Sequence, residues 1–316
     1  MCLSSESPIE IVNLRKTFGS FTAVDGLTIS IKKNSFTGLL GPNGAGKSTT
    51  LKVLTHLIDA TSGEAYLNGI DVTKSPKAAL TGVGTVVETP EFYSYLTPRE
   101  TMQYIGEIIG LSEESISAQS DEILTKVKMT EWADKRIGTF SKGMRQRIAL
   151  GQALLGEPSV IILDEPTSGL DPRGMAEIRE ILKNIRNGTH DLTILMSSHM
   201  LHEVSDLCDR IALVNHGKLL MYDEISKITQ PTGQRKLTVR TVAAVDDAGL
   251  AKIAKLDHVI SADRSGTDIG IVLDMAAGDC RSQFFRDLAA ADVGVCGLSE
   301  EDSLEAAYLS LIKESK

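Results

Sequence analysis

The sequence predicts an α/β protein in two parts, a mostly parallel sheet wrapped by helices followed by a small α+β domain. Three observations carry this. Short apolar runs alternate with helix-period segments from residue 9 to about 225, the pattern of strands joined by helical crossovers. A Pro/Gly/polar stretch, SKITQPTGQR, breaks that pattern at 226–235. Beyond it, six segments read in the order βαββαβ. The expected boundaries are a first domain at 1–228, with a helical subdomain at about 89–158, a linker at 229–235 and an accessory domain at 236–316.

Each element has a local reason. The runs IEIVNL (9–14), LTISI (27–31), FTGLL (36–40) and GEAYLNG (63–69) are rich in β-formers and separated by turn residues, so they read as strands. After Lys47, Leu51, Leu54 and Ile58 share one helical face. In TPRE, Thr97 is placed as an N-cap, Pro98 at the first helical position and Glu100 as the closing residue of a capping box, with Gly110 at the far end. A further helix is expected at 113–128. VIIL (160–163) is apolar throughout and reads as a buried strand. Helices at 173–187 and 200–207 flank a strand at 192–198, and RIALVNHGKLLMY reads as a hairpin turning at His216 and Gly217. In the second part, strands at 236–242, 258–263, 268–274 and 293–298 and helices at 246–256 and 279–291 suggest a ferredoxin-like domain. A last helix starts at Asp302, with Glu305 completing a capping box and Leu304, Ala307, Tyr308, Leu311 and Ile312 as its apolar stripe.

Composition narrows the function. The chain of 316 residues has a formal net charge of −9, with 23 basic against 28 acidic residues up to Gly233 and 10 against 14 beyond it. Neither part carries the basic stripe of a nucleic-acid binder, so no nucleic-acid partner is expected. Cys2, Cys208, Cys280 and Cys296 form no CxxC pair or metal-like spacing and read as free thiols in a reducing compartment. The N-terminal MCLSSESPIE has neither the basic start nor the apolar run of a signal peptide. Apolar runs such as VIIL fall far short of the roughly 20 residues needed to span a bilayer. Any membrane role therefore calls for another subunit.

The chemistry concentrates in a few motifs. GPNGAGKST (41–49) matches GxxxxGK[ST] in full, between a strand and a helix. Its glycines let backbone N–H groups surround phosphate oxygens, and the helix start adds positive potential. Gly41, Pro42, Asn43, Gly44, Ala45, Gly46, Lys47, Ser48, Thr49 and Thr50 are the expected nucleotide-binding positions, with Lys47 on the β- and γ-phosphates and Ser48 on Mg²⁺. VIILDEP (160–166) delivers Asp164 to a strand end, where it can hold the Mg²⁺ shell, and Glu165 is placed to polarise an attacking water. His199, after two serines at another strand end, is a candidate for the γ-phosphate. TFSKGMRQR (139–147) is a second Ser-Gly helix start, basic and suited to an anion.

In order, GPNGAGKST, TFSKGMRQR, VIILDEP, SGLD (168–171) and SSHM (197–200) resemble the ATP-binding subunit of an ABC transporter over about residues 9–225. That resemblance implies a P-loop NTPase core with an inserted helical subdomain and an antiparallel β subdomain, and an ATPase using ATP and Mg²⁺. It implies a homodimer in which Ser141 and Gly143 meet the γ-phosphate held by the partner's loop, with Asp171 crossing the seam. The family's usual LSGGQ is here FSKGM, so Lys142 and Met144 depart from it. Where most relatives have glutamine, VVETPEFY (86–93) offers Glu88, a third candidate metal ligand. Phe18 lies where relatives stack an aromatic on adenine.

Glu88 and SKGMRQR together resemble ATPases of bacitracin and lantibiotic export and immunity, and of multidrug export. The tail SLEAAYLSL (303–311) resembles exporters whose permease is a separate chain. The resemblance thus implies export of a peptide antibiotic or drug, with residues 88–98 lining a groove for the permease. The subunit would lie in the cytoplasm, peripheral on the inner face of the membrane. An importer ATPase, or a soluble ATPase acting on ribosomes or DNA, is the alternative. One ATP module, about 110 residues between the two motifs and no sustained heptads weigh against the soluble kinds.

Overall fold

The computed structural model describes residues 7–188, 191–229, 234–275, 280–291, 293–300 and the helical positions 304–305, 308 and 311–312. The chain divides into two compact units, Met1–Asp223 and Glu224–Lys316. The division falls a few residues before the boundary expected at 228.

The first unit opens with β1 (Ile9–Phe18) and β2 (Phe21–Ile31), a hairpin longer than the expected 9–14 and 27–31, then β3 (Phe36–Leu40) and α1 (Lys47–Leu54). Next come β4 (Ser62–Leu67), β5 (Ile70–Asp71), α2 (Pro76–Ala79) and β6 (Val83–Val86). The helical segment holds α3 (Pro98–Ile108), α4 (Glu113–Lys126) and α5 (Lys142–Leu154), with short 3₁₀ turns at Thr130–Trp132 and Ile137–Thr139. The unit continues with β7 (Val160–Asp164), α6 (Pro172–Gly188), β8 (Thr193–Ser198), α7 (Leu201–Leu207), β9 (Arg210–Asn215) and β10 (Lys218–Glu224). His216 and Gly217 both take left-handed φ, +46° and +74°, in the two-residue turn read from sequence.

Two sheets share one core. The antiparallel sheet has the order β2-β1-β4-β5, and the six-stranded sheet the order β10-β9-β3-β8-β7-β6. From β9 to β6 the second sheet is parallel, and β3 and β8 are buried along their whole length, as strands covered on both faces are. Ile9, Ile11 and Leu67 of the first sheet pack with Leu51 and Leu54 of α1 and Val160, Ile162 and Leu195 of the second. The register sets the site. Leu40 pairs with Ser198, and Asp164 with Ser197, so β3, β7 and β8 end level. In such sheets ligands bind beyond the carboxyl ends of the strands.

Local signals explain the helix starts. The Thr97 hydroxyl accepts the Glu100 N–H at 3.2 Å, and the Glu100 carboxylate accepts the Thr97 N–H at 2.8 Å. Holding that backbone N–H keeps the Glu100 carboxyl below the usual carboxylate range. Among the described residues, no helix is long and apolar enough to cross a membrane.

The second unit contains α8 (Ile225–Thr229), β11 (Gln234–Thr241), α9 (Asp247–Ala254), β12 (Val259–Ser265), β13 (Asp268–Asp274), α10 (Arg281–Ala290) and β14 (Val295–Glu300). Its sheet, β12-β13-β11-β14, is antiparallel throughout, and Phe284 and Leu288 of α10 pack on Leu237, Val239, Ile269 and Ile271. The βαββαβ reading is thereby met. Helix α8 overlaps the linker expected at 229–235 only at Thr229. The last helix is present at Leu304 and Glu305, with Leu304 buried. Asp302 and Ala307 lie outside the described residues.

Candidate active site

The loop between β3 and α1 forms a cradle. Gly46 caps α1 with φ +98°, and its Cα faces the Ala23 carbonyl so closely that a side chain there would collide with it. Ala45 is buried, and its carbonyl accepts the Gly217 N–H at 3.0 Å. Lys47 folds back into the loop, with Nζ donating to the carbonyls of Gly41 at 2.8 Å and Pro42 at 3.1 Å. Burial lowers its ammonium below the usual lysine value, while Glu165 and Asp164 pull the other way. The loop, with Asn43, Gly44, Gly46, Lys47, Ser48, Thr49, Phe21, Ala23 and Glu165, lines a cleft of about 340 Å³.

Behind Lys47, hydroxyls converge on one carboxylate oxygen. Asp164 Oδ1 accepts Ser48 Oγ at 3.0 Å and Ser197 Oγ at 2.5 Å. Ser197 Oγ also accepts the Glu165 N–H at 2.9 Å, so a residue that the sequence reading quoted without assigning a role joins β8 to the Asp-Glu pair. Glu165 takes φ +42°, a conformation that non-glycine residues seldom adopt. Its carboxylate lies 3.8 Å from Lys47 Nζ and 3.1 Å from His199 Nδ1. Lys47, Ser48, Asp164, Glu165 and His199 are therefore one cluster, drawn from three strand ends.

Other candidates lie elsewhere. Thr50 is buried, its hydroxyl donating to the Gly46 carbonyl at 2.8 Å, so it serves the helix start. The cleft is lined by Phe21 rather than Phe18. Phe18 pairs opposite Phe21 at the hairpin tip, and its exposed ring carries Lys16 Nζ at 4.9 Å. Glu88 is not brought to Ser48 and Asp164. Lys52, on the second turn of α1, forms an ion pair with it, and Glu88 lines a separate cleft of about 310 Å³ with Leu57, Val87, Pro90 and Gln152. Ser141 caps α5, its hydroxyl accepting the Met144 N–H at 3.3 Å, and open space surrounds the Gly143 Cα. Lys142 donates to the Ser168 carbonyl at 3.0 Å, a tie to the loop before α6 that sequence does not reveal. Asp171 Oδ1 accepts the Gly174 N–H at 3.1 Å at the start of α6. None of Ser141, Gly143 and Asp171 lines the cleft.

Comparison with known proteins agrees with this geometry. Residues 24–168 match the ABC transporter family. Across 307 residues, 96% of this chain and 97% of the relative, the sequence is 32% identical to the linearmycin resistance ATP-binding protein LnrL of Bacillus subtilis. The chain belongs to the ABC transporter family. A second relative, the bacitracin transport ATP-binding protein BcrA of Bacillus licheniformis, is 40% identical over 212 residues, 67% of this chain and 68% of that protein. Among solved structures, an ABC transporter ATP-binding cassette in its ADP conformation superposes with a TM-score of 0.62 at 28% identity, covering 70% of this chain and 94% of that one. This chain is thus an ATP-binding subunit of that family and an ATPase.

Proposed function

We propose that two copies of this subunit close head to tail on two ATP molecules, and that hydrolysis drives export of an antibiotic-like compound through a separate membrane permease. One observation carries the reading. The cleft gathers Lys47, Ser48, Glu165 and the neighbouring Asp164 and His199, yet the Ser141 helix start does not line it. That second anion-ready terminus has no phosphate to meet within its own chain. In the dimer, Ser141 and Gly143 would cover the partner's γ-phosphate, with Asp171 beside it.

Within one site, Gly41–Thr49 would wrap the phosphates, and Lys47 would turn from the Gly41 and Pro42 carbonyls to the β- and γ-oxygens. Ser48 and Asp164 present a hydroxyl and a carboxylate oxygen 3.0 Å apart, a donor set suited to a hard cation that keeps its remaining ligands as water and phosphate. They would hold Mg²⁺, which neutralises charge on the phosphate oxygens. Glu165 would take the proton of the water attacking the γ-phosphorus as the bond to the ADP oxygen breaks, with His199 oriented by the Glu165 carboxylate. Phe21, which lines the cleft, offers a π-face for adenine, and Phe18 opposite it at the hairpin tip would stack only by turning inward.

The permease would dock beside the Glu88 cleft. Tyr93, Tyr95 and Tyr104 are exposed, with the Tyr93 ring 5.7 Å from that of Tyr95 and 5.8 Å from that of Tyr104, an aromatic patch that suits an apolar helix end. Such docking would place the subunit on the inner face of the membrane. The names of the linearmycin and bacitracin relatives support an antibiotic-type cargo, and the second unit would regulate or support the dimer. Glu165→Gln tests the core of this: it retains ATP binding, loses steady-state hydrolysis, and elutes as a dimer with ATP and Mg²⁺. Turnover close to wild type in that variant would remove Glu165 as the base.

A further inference from the structure

Two loops that reach the nucleotide cleft are joined behind it by one buried acid. Glu203, in the first turn of α7, is 2% exposed and lies outside the cleft lining. Its Oε1 accepts the Thr167 hydroxyl, and its Oε2 accepts the Ser198 hydroxyl at 2.9 Å. Thr167 and Ser198 are 3% and 2% exposed, so neither hydroxyl has bulk water as an alternative partner. Among the described residues no cation pairs with this carboxylate. Burying an acid this way is unfavourable unless its hydrogen bonds are kept, so the three side chains hold one another in place.

Their positions give the arrangement a function. Thr167 comes two residues after Glu165, on a turn in which the Ser168 N–H donates to the Glu165 carbonyl at 2.9 Å. Ser198 directly precedes His199, and its Oγ accepts the Met200 N–H at 2.9 Å. One oxygen of Glu203 therefore fixes the loop after β7 and the other fixes the loop after β8. The contact they jointly determine is that between Glu165 and His199, at 3.1 Å.

We propose that Glu203 is a positioning residue for hydrolysis, a brace that sets the separation of the two loops so that Glu165 and His199 meet at the γ-phosphate end of the cleft. This rests on the roles given above to Glu165 and His199. The amide of Glu203→Gln has one accepting oxygen and one NH₂ group that only donates, so one of the two hydroxyls loses its carboxylate acceptor and faces a donor instead. Misplacing a reacting pair by a fraction of an ångström is costly to turnover, so kcat for ATP should fall about tenfold while KM stays within about twofold.

The decisive comparison is made in the full-length chain with His199→Ala as a second background. Because the brace acts through the Glu165–His199 contact, Glu203→Gln should add less than about a further twofold loss once His199 is gone. A residue that merely stabilises the fold would lower kcat by the same factor in both backgrounds. Losses that multiply, or wild-type kcat in Glu203→Gln, overturn the proposal. If Glu203→Gln does not fold, Thr167→Ser and Thr167→Val carry the same test: serine keeps the hydroxyl and the turnover, and valine loses about tenfold. Wild-type turnover in the valine variant, or serine as poor as valine, would overturn it equally. Full turnover in His199→Ala alone would remove His199 from the site and the brace with it, whereas additivity with an impaired His199→Ala sinks only the brace.

Discussion

Gly44→Ala and Gly46→Ala form a matched pair that separates backbone conformation from close packing in the phosphate loop. Both glycines have left-handed φ, +83° and +98°, so each alanine carries a similar conformational cost of about 1–2 kcal/mol. They differ in what a Cβ would meet. Nothing lies within 4 Å at Gly44, whereas at Gly46 it would overlap the Ala23 carbonyl oxygen and come within 3.4 Å of the Gly217 Cα. Gly217 does not retreat freely, since it exchanges backbone bonds of 3.0 Å with Ala45 and 2.9 Å with Asp25. Losing one or two such bonds adds about 1 kcal/mol each. Gly46→Ala should therefore cost about 2–4 kcal/mol, against about 1–2 for Gly44→Ala. Urea unfolding of the nucleotide-free protein, followed by the single tryptophan, Trp132 of the first unit, measures both. Equal costs, agreeing within about 0.5 kcal/mol, would refute the claim that Ala23 constrains the loop.

Other perturbations have separable outcomes. Thr97→Ala removes the hydroxyl that accepts the Glu100 N–H and should cost about 1 kcal/mol in the same unfolding assay. Lys52→Met breaks the ion pair with Glu88, but Glu88 is largely exposed, so stability should change by less than about 1 kcal/mol; a larger loss would mean the pair holds the loop. Burial lowers the Lys47 ammonium, so the folded chain gives up that proton before the unfolded chain does. Stability from this group is therefore lowest at neutral pH and rises with pH through the folded value toward the ordinary lysine range. Lys47→Met should flatten that rise in denaturation midpoints collected on the alkaline side, and an unchanged slope would contradict the sign.

The phosphate loop is legible in the sequence because its backbone demands glycine and lysine at fixed spacing. Asp164 and Glu165 are legible because a short apolar run reads as a buried strand, whose carboxyl end lies at the sheet edge where ligands bind in such folds. What escapes is whatever register creates. Ser197 reaches Asp164 because parallel β7 and β8 bring residues 33 apart in sequence level with each other, a relation no local pattern encodes. Whether Phe18 or Phe21 lines the cleft depends on the hairpin tip, where Gly19 takes φ +58°, and the spacing of aromatics does not decide it. Lys142 departs from the family pattern, yet its partner, the Ser168 carbonyl, is visible only once α5 and the loop before α6 lie side by side. Glu88 reads in the sequence as a candidate ligand, and its ion pair with Lys52, which sits on another element, is likewise visible only in the fold.

The head-to-tail site is tested most directly by complementation between two damaged copies. In the non-hydrolysing Glu165→Gln background, one copy carries Lys47→Ala and the other Ser141→Arg, so each has lost one half of the shared site. Alone, either should remain monomeric with ATP and Mg²⁺. Mixed, they should pair, since the Lys47 loop of one and the Ser141 helix of the other make a single intact site. Dimers formed by the Ser141→Arg copy alone, or none in the mixture while the Glu165→Gln parent dimerises, would contradict the arrangement.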